Sequence, residues 1–398
     1  MSKIDSLSKQ LIVLLAATSA LGPAGMQILL PALPVIQDDF SVSNDVAQLT
    51  LSLSMFSIAI GTLVYGPMSD KYGRKPTMLL GIFIAIIGSI FCYLADSIGW
   101  LIAGRIIQAF GGAVGLVLAR AIVRDVYGAE ESARVIATLV MVMVIAPMMS
   151  PALGGEMMNR FGWESVFLVM AGASVIIFVF LILRQPETLV TPVQFEGIGS
   201  MLRTFDGLLR SRPFCGYAFC VTFVSVVFFS FISAAPEIMV SVLNRPPTEY
   251  GYYFVMIPIG FMIGNYVTRH FGRSISIDSM IVLGSTIAIG GIVLAIVLNL
   301  VGLSHPLALF LPVSIAVFGN GITLPNAQAA AINEFPQYAG SASGLTGFLQ
   351  MSVSAVAAQF VAFIFNETAY PLLIMMLLAS VISLFLFRWG VPVRTAAS

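Results

Sequence analysis

Gly66-Pro67-Met68-Ser69-Asp70-Lys71-Tyr72-Gly73-Arg74-Lys75-Pro76 is a short charged stretch wedged between two apolar runs, about 46–68 and 77–95. A weaker echo, Arg269-His270-Phe271-Gly272-Arg273, follows another apolar run. Gly272-Arg273 lies 199 positions after Gly73-Arg74 (272 less 73), half of the 398-residue chain. A repeat at that distance, in so apolar a chain, points to a membrane bundle of two homologous halves.

Working outward, 58% of the residues are hydrophobic and only 10% are charged. A soluble protein carries about 25% charge, so water is not the main solvent here. A bilayer core takes about 20 apolar residues per helix. Twelve such runs fit the chain, at about 11–36, 46–68, 77–95, 99–121, 134–158, 164–183, 214–240, 250–268, 276–301, 306–328, 341–365 and 369–387. The expected fold class is therefore all-α, with twelve transmembrane helices in two pseudo-symmetric six-helix bundles. The expected units are residues 1–183, a cytoplasmic linker over 184–212, and residues 213–398. The spacing leaves no room for a soluble domain.

Of the 19 Lys and Arg, all but Arg105, Arg160 and Arg245 fall on the side that holds both termini. The positive-inside rule predicts that this side and the central linker are cytoplasmic. The first apolar run is too long for a cleavable signal core. Cys92, Cys215 and Cys220 sit in apolar segments and read as small core residues, not a disulfide framework. No metal-ligand spacing and no GxxxxGK[ST] loop is present, so no cofactor, metal or ATP chemistry is expected, and no nucleic-acid partner.

The repeated turn after the second and eighth runs, with twelve helices, resembles the major facilitator superfamily. Gly66 to Pro76 matches that superfamily's loop pattern, G-x-x-x-D-[RK]-x-G-R-[RK]. Leu30-Pro31-Ala32-Leu33-Pro34 and Arg124-Asp125-Val126-Tyr127 resemble the Bcr/CflA group of drug:proton antiporters. Pro147-Met148-Met149-Ser150-Pro151-Ala152-Leu153-Gly154-Gly155 resembles the fifth-helix antiporter signature of drug exporters, with Ala146 and Ser150 where that pattern often has Gly.

The resemblance implies roles for particular residues. Asp70, Gly73 and Arg74 would form a conformational latch. Asp70 would face the start of the eleventh span near Ala339-Gly340-Ser341, and Arg74 would pair with Asp125. The alternative is a charged loop that follows topology alone. Arg105 is the basic residue well inside an apolar run, and an embedded charge is a functional candidate by default. With Gln108 it matches an R-x-x-Q element; the alternative is an anchor that snorkels to the outer interface. Gln27 stands four residues before Pro31, where Bcr/CflA-like proteins commonly carry Asp. A Gln cannot carry a proton. It would line the substrate cavity, unless a neighbouring helix satisfies it.

The remaining acids lie in or near loops, which leaves Glu237, beside Pro236, as the proton-coupling candidate; otherwise it is a solvated carboxylate at a helix end. Pro147, Pro151, Gly154 and Gly155 would let the fifth span bend and pack closely, as a gate or simply as tight packing.

The resemblance implies a secondary active transporter of the bacterial inner membrane, with cytoplasmic termini. It would work as a monomer in the lipid bilayer and export small amphipathic compounds by alternating access, with protons as coupling ion. Such multidrug efflux confers antibiotic resistance. The alternatives are a metabolite or siderophore carrier, or a facilitator without proton coupling. An enzyme would need paired catalytic groups at one depth and a sensor would need a signalling domain; the sequence displays neither.

Overall fold

The computed structural model describes residues 3–189, 198–271, 274–335 and 338–391, without the side chains of 3–9, 124, 127–145, 198, 200, 201, 339 and 340. The Gly272-Arg273 echo and linker residues 190–197 lie outside the described residues. Within them every regular element is helical. The chain divides into two compact units: Met1–Phe195 with Pro247–Gly251, and Glu196–Pro246 with Tyr252–Ser398.

The first unit begins with α1 (Lys3–Gln27), a 3-10 turn at Leu30–Ala32 and α2 (Leu33–Phe40). Pro31 and Pro34 lack an N–H, which breaks the first span into these pieces. Next come α3 (Asn44–Tyr72), α4 (Arg74–Tyr93), α5 (Ile98–Phe161) and α6 (Ser165–Arg184). The charged stretch expected as a turn is therefore helical on both flanks, with Gly73 alone between α3 and α4. Gly73 has φ +104 and ψ 152, a conformation essentially reserved for glycine. The chain turns there on a single residue.

The helical assignment of α5 runs unbroken for 64 residues, where two spans were expected. Its two limbs nonetheless pack on one stretch of α1. A Cβ on Gly112 would touch Gly22, and one on Gly154 would lie 2.0 Å from the Ile28 carbonyl oxygen. Gly22 and Ile28 are about 9 Å apart along a helix, whereas Gly112 and Gly154 would be about 63 Å apart on a straight one. The chain therefore doubles back between them, and the two expected spans survive as the limbs of a hairpin.

The second unit holds α7 (Ile198–Leu209), which replaces part of the expected linker with a helix, and α8 (Arg212–Glu237), continued by a π turn at Ile238–Val242. Then follow α9 (Pro247–Phe254), whose residues Pro247–Gly251 count with the first unit, and α10 (Met256–Phe271), α11 (Ile277–Leu300), α12 (Pro306–Asn333), α13 (Ala339–Phe363) and α14 (Tyr370–Gly390).

Among the described residues ten helices are long and apolar enough to cross a bilayer. The other two expected spans are the second limb of α5 and the 250–268 run. That run divides between α9 and the 16-residue α10, where Pro258 in the first turn withholds an N–H.

Both units are zipped by small residues, which let helix backbones approach. A Cβ on Gly115 would fall 2.2 Å from the Thr18 carbonyl oxygen, and one on Gly319 would fall 2.3 Å from that of Gly284. Large apolar side chains on α6, α11 and α14 stay exposed, Ile176, Val297 and Phe385 among them. Bilayer hydrocarbon covers such faces at no cost in desolvation.

Candidate functional site

At the α3–α4 junction, Arg74 gathers its surroundings. Its Nε donates to Asp125 Oδ2 at 3.0 Å, and its Nη1 donates to Asp70 Oδ1 at 2.5 Å and to Ser69 Oγ at 2.6 Å. The Arg74 side chain is 11% exposed, against 45% for Asp70 and 22% for Asp125. The Asp125 pair is thus the better shielded of the two, and water screens the Asp70 pair more. The side chains of Ala339 and Gly340, at the expected partner of Asp70, lie outside the described residues.

Sequence reading missed the residue that closes this cluster. Glu187, just past the end of α6, accepts backbone N–H bonds from Arg74 (2.9 Å), Lys75 (3.1 Å), Thr188 (2.9 Å) and Leu189 (2.9 Å). The first N–H groups of a helix have no intrahelical acceptor and form the positive end of its dipole. Gly73, at the N-cap, has no side chain to offer them, so Glu187 supplies the cap from a distant part of the chain. Partial burial acts to raise the Glu187 pKa, but the four backbone donors outweigh it and hold the carboxyl below the usual range. Lys75 Nζ donates to the Ile182 carbonyl oxygen, and Thr188 Oγ1 donates to Asp125. No spacing rule links Glu187 to Gly73, so the only sequence signal was an acid directly after Gln185-Pro186.

The second constellation is buried within the first unit. Arg105 is 2% exposed, so its guanidinium does not snorkel to an interface. Nη1 donates to the Gly25 carbonyl oxygen at 2.9 Å and to Gln108 Oε1 at 2.5 Å, and Nε reaches the Thr50 carbonyl oxygen at 3.5 Å. Gln108 Nε2 in turn donates to Ser89 Oγ at 2.8 Å. The knot ties α1, α3, α4 and α5 together with neutral acceptors only. A delocalised, weakly hydrated guanidinium suits such a site better than an ammonium. A cavity of about 10 Å³ adjoins it, lined in part by Gly25, Met26, Ser89, Arg105, Gln108 and Ser174.

The other expected residues are dispersed. Gln27 ends α1 and is 8% exposed; among the described residues its Oε1 has no hydrogen-bond partner. Glu237 ends α8 half-buried and accepts from Ser241 Oγ one turn on, within the π turn. Pro147, Pro151, Gly154 and Gly155 are all buried. Gly154 lies against Ile28, just past α1, and Gly155 against Thr248 of α9, inside the first unit. Among the described residues no group of three or more His, Cys, Asp or Glu could hold a metal ion.

Comparison with known proteins matches residues 15–358 to the Major Facilitator Superfamily. An uncharacterized MFS-type transporter, YdgK, of Bacillus subtilis (strain 168) is 31% identical over 94% of this chain and 93% of its own. A bicyclomycin resistance protein homolog of Haemophilus influenzae is 28% identical, covering 94% of each chain. Multidrug resistance protein MdtL of Escherichia coli O6:K15:H31 is also 28% identical, with 94% of each covered. In fold, the chain is similar to a bacterial homolog of the human lysosomal transporter Spinster: TM-score 0.74, 16% identity, 98% of this chain and 96% of that one. With the motif at Gly66–Pro76 and the all-helical bundle, these matches establish that the chain belongs to the Major Facilitator Superfamily, where it is similar to Bcr/CflA-like members, and is a multi-pass membrane transporter, not an enzyme.

Proposed function

We propose that this transporter exports small amphipathic compounds from the bacterial cytoplasm by alternating access, as a monomer with both termini cytoplasmic, in exchange for protons. The observation that carries the export reading is the similarity, over 94% of the chain, to proteins named for bicyclomycin and multidrug resistance. The Arg74–Asp70–Asp125 cluster supports a latch that closes and opens the cytoplasmic side. Charge-assisted bonds of this kind are strong when made and break as a unit. Arg105 with Gln108 holds α1 against α5, so a change at one is transmitted to the other. Gln27 offers an unpaired acceptor to cargo. Glu237 is the proposed proton carrier, and the π turn beside it is a local distortion of a kind frequent at functional sites. The close contacts of Gly154 and Gly155 support a bending role for the second limb of α5.

A second reading has one specific observation in its favour. Gln27 occupies the position where the resemblance leads one to expect an acid, which favours a facilitator without proton coupling. Transport by the purified full chain in vesicles, with an inward proton gradient and again with the gradient collapsed, separates the two. Antiport requires a faster rate with the gradient and loss of that gain in Glu237→Gln. Equal rates under both conditions reject antiport. A pH-driven rate that persists in Glu237→Gln rejects Glu237 as carrier.

A further inference from the structure

Among the described side chains of the first unit, the acids sit at the ends of spans. Asp38 and Asp39 close α2, Asp45 opens α3, Asp70 is in the last turns of α3, and Asp125 lies just past the Ile98–Val123 span. Glu156 and Glu164 flank the end of α5, where Glu156 pairs with Arg160 at 3.6 Å. Two cations lie further in, and they differ. Arg105 is buried, with its Nε and Nη1 held by neutral acceptors. Arg120, within the Ile98–Val123 span, is exposed, and among the described residues it forms no ion pair.

The carboxylates at that end of the unit are already committed: Asp70 and Asp125 both bond Arg74. Position 120 lies on the helix face that also carries positions 113 and 117, by the three- and four-residue spacing. Ala113 packs against Gly61 of α3, and Val117 against Gly66. The arginine therefore emerges beside a glycine-lined part of α3, one turn deeper than the clasp. Position 124, also an arginine, follows one turn later on the same face.

We propose that Arg120, exposed within an apolar span and without an ion pair among the described residues, binds an anionic group, and that the cargo class therefore includes compounds with a carboxylate or phosphate-like head. The proposal rests on the export reading for its functional meaning and on the Arg120 surroundings for its chemistry. A guanidinium presents a planar fork that matches either oxyanion in two parallel hydrogen bonds. A charge in an apolar span is costly unless it meets water or a counter-charge, so such residues mark ligand paths. With arginines as its embedded charges, this unit attracts an anion and repels a cation. The same chemistry would fit the phosphate of an anionic lipid, so the test must separate the sources.

Fluorescein and rhodamine 123 share a xanthene core and differ in charge, the first anionic and the second cationic. Binding of each dye by fluorescence anisotropy is measured on the full chain in phosphatidylcholine nanodiscs. Wild type is expected to bind fluorescein more tightly than rhodamine 123. Arg120→Ala is expected to weaken fluorescein about ten- to a hundredfold, the range for a lost hydrogen-bonded charge, with rhodamine 123 unchanged or tighter. Arg120→Lys should keep part of the affinity. The proposal is overturned if wild type binds no fluorescein or prefers rhodamine 123, if Arg120→Ala binds fluorescein as wild type does, or if both dyes weaken together. It is equally overturned if the variant differs only when phosphatidylglycerol is added, which assigns Arg120 to lipid. A dye that binds selectively through Arg120 but is never moved out of vesicles counts against the export reading and leaves the anion site standing.

Discussion

Where α3 hands over to α4, one glycine separates the helices, Asp70 and Asp125 bond the Arg74 side chain, and Glu187 caps the helix that follows. At the corresponding junction of the second unit, α10 ends at Phe271, and Ser274 and Ile275 return N–H bonds to its carbonyl oxygen. Here Ser276 caps α11 through its own hydroxyl, accepting from the Ser279 N–H at 3.2 Å, and Asp278 accepts from the Tyr217 hydroxyl at 2.8 Å. The first junction is held by charge that converges from α3, α4, α5 and the segment after α6. The described part of the second is held by its own backbone and the Ser276 hydroxyl, with the single Tyr217–Asp278 hydrogen bond reaching in from α8 and no ion pair. A neutral local cap stabilises a helix whatever its neighbours do. A clasp assembled from several elements responds when any of them moves, which is why the latch proposal belongs to the first unit.

The largest effect that would test this contrast is on transport. Arg74→Ala strips both carboxylates of their partner. Asp70 is 45% exposed, so water replaces much of that pair, and the loss is set by the better-shielded Asp125. It should cost about 1.5–3 kcal/mol and lower transport at least severalfold with membrane insertion intact. Asp70→Asn should act in the same direction, more weakly. Full transport by both well-expressed variants would remove any functional difference between the junctions.

Next in size is Gly73→Ala, read by thermal unfolding in detergent. The new methyl would sit in a glycine-only backbone region, costing about 1–3 kcal/mol, and 2.6 Å from Glu187 Oε2. Gly302→Ala provides the control: φ is +82 there, with nothing within 4 Å of the added Cβ. Gly73→Ala should be the more damaging, and equal losses would mean that the Glu187 contact gives way freely.

The smallest effect is the most diagnostic. Ser276→Ala should cost about 1 kcal/mol for a lost N-cap, equally at every pH where the protein is folded. Glu187→Gln keeps an acceptor but loses the charge, so its deficit should depend on pH. The folded Glu187 pKa is depressed, so its contribution is complete above the usual carboxylate range and fades as pH falls through the depressed value. The gap between wild type and Glu187→Gln should therefore be widest near neutrality and close in acid. A gap independent of pH would show that the cap works by shape alone.

Much of this was legible beforehand, for reasons that differ by residue. The apolar runs were readable because a bilayer demands about 20 apolar residues in sequence. Pro31 and Pro34 act on their own backbone, so a break near them follows locally. Arg105 drew attention as a charge in an apolar run, and Gln108 as its neighbour one turn on. What escaped were partners brought from elsewhere: Gly25 and Thr50, which contribute only carbonyl oxygens, Ser89, and above all Glu187. A backbone carbonyl leaves no trace in residue type, and a carboxylate after a helix looks like any solvated loop acid. The α3–α4 turn was also misjudged in extent. Its charged residues resemble a loop in composition, yet Lys71 and Arg74 are good helix formers, and only Gly73 was needed to turn the chain.

By itself, the sequence determined that this is a two-unit helical membrane protein of the facilitator kind, because hydropathy, charge asymmetry and a loop motif are all properties of contiguous residues. Only the tertiary structure decided that Asp70 joins Asp125 on Arg74, that the long α5 folds back on α1, that Arg105 is buried among neutral acceptors, and that Arg120 stands exposed without an ion pair among the described residues. The physical reason is common to all four. Each depends on which groups far apart in the chain share a few ångströms of space, and therefore on how helices that all satisfy the bilayer equally well pack against one another.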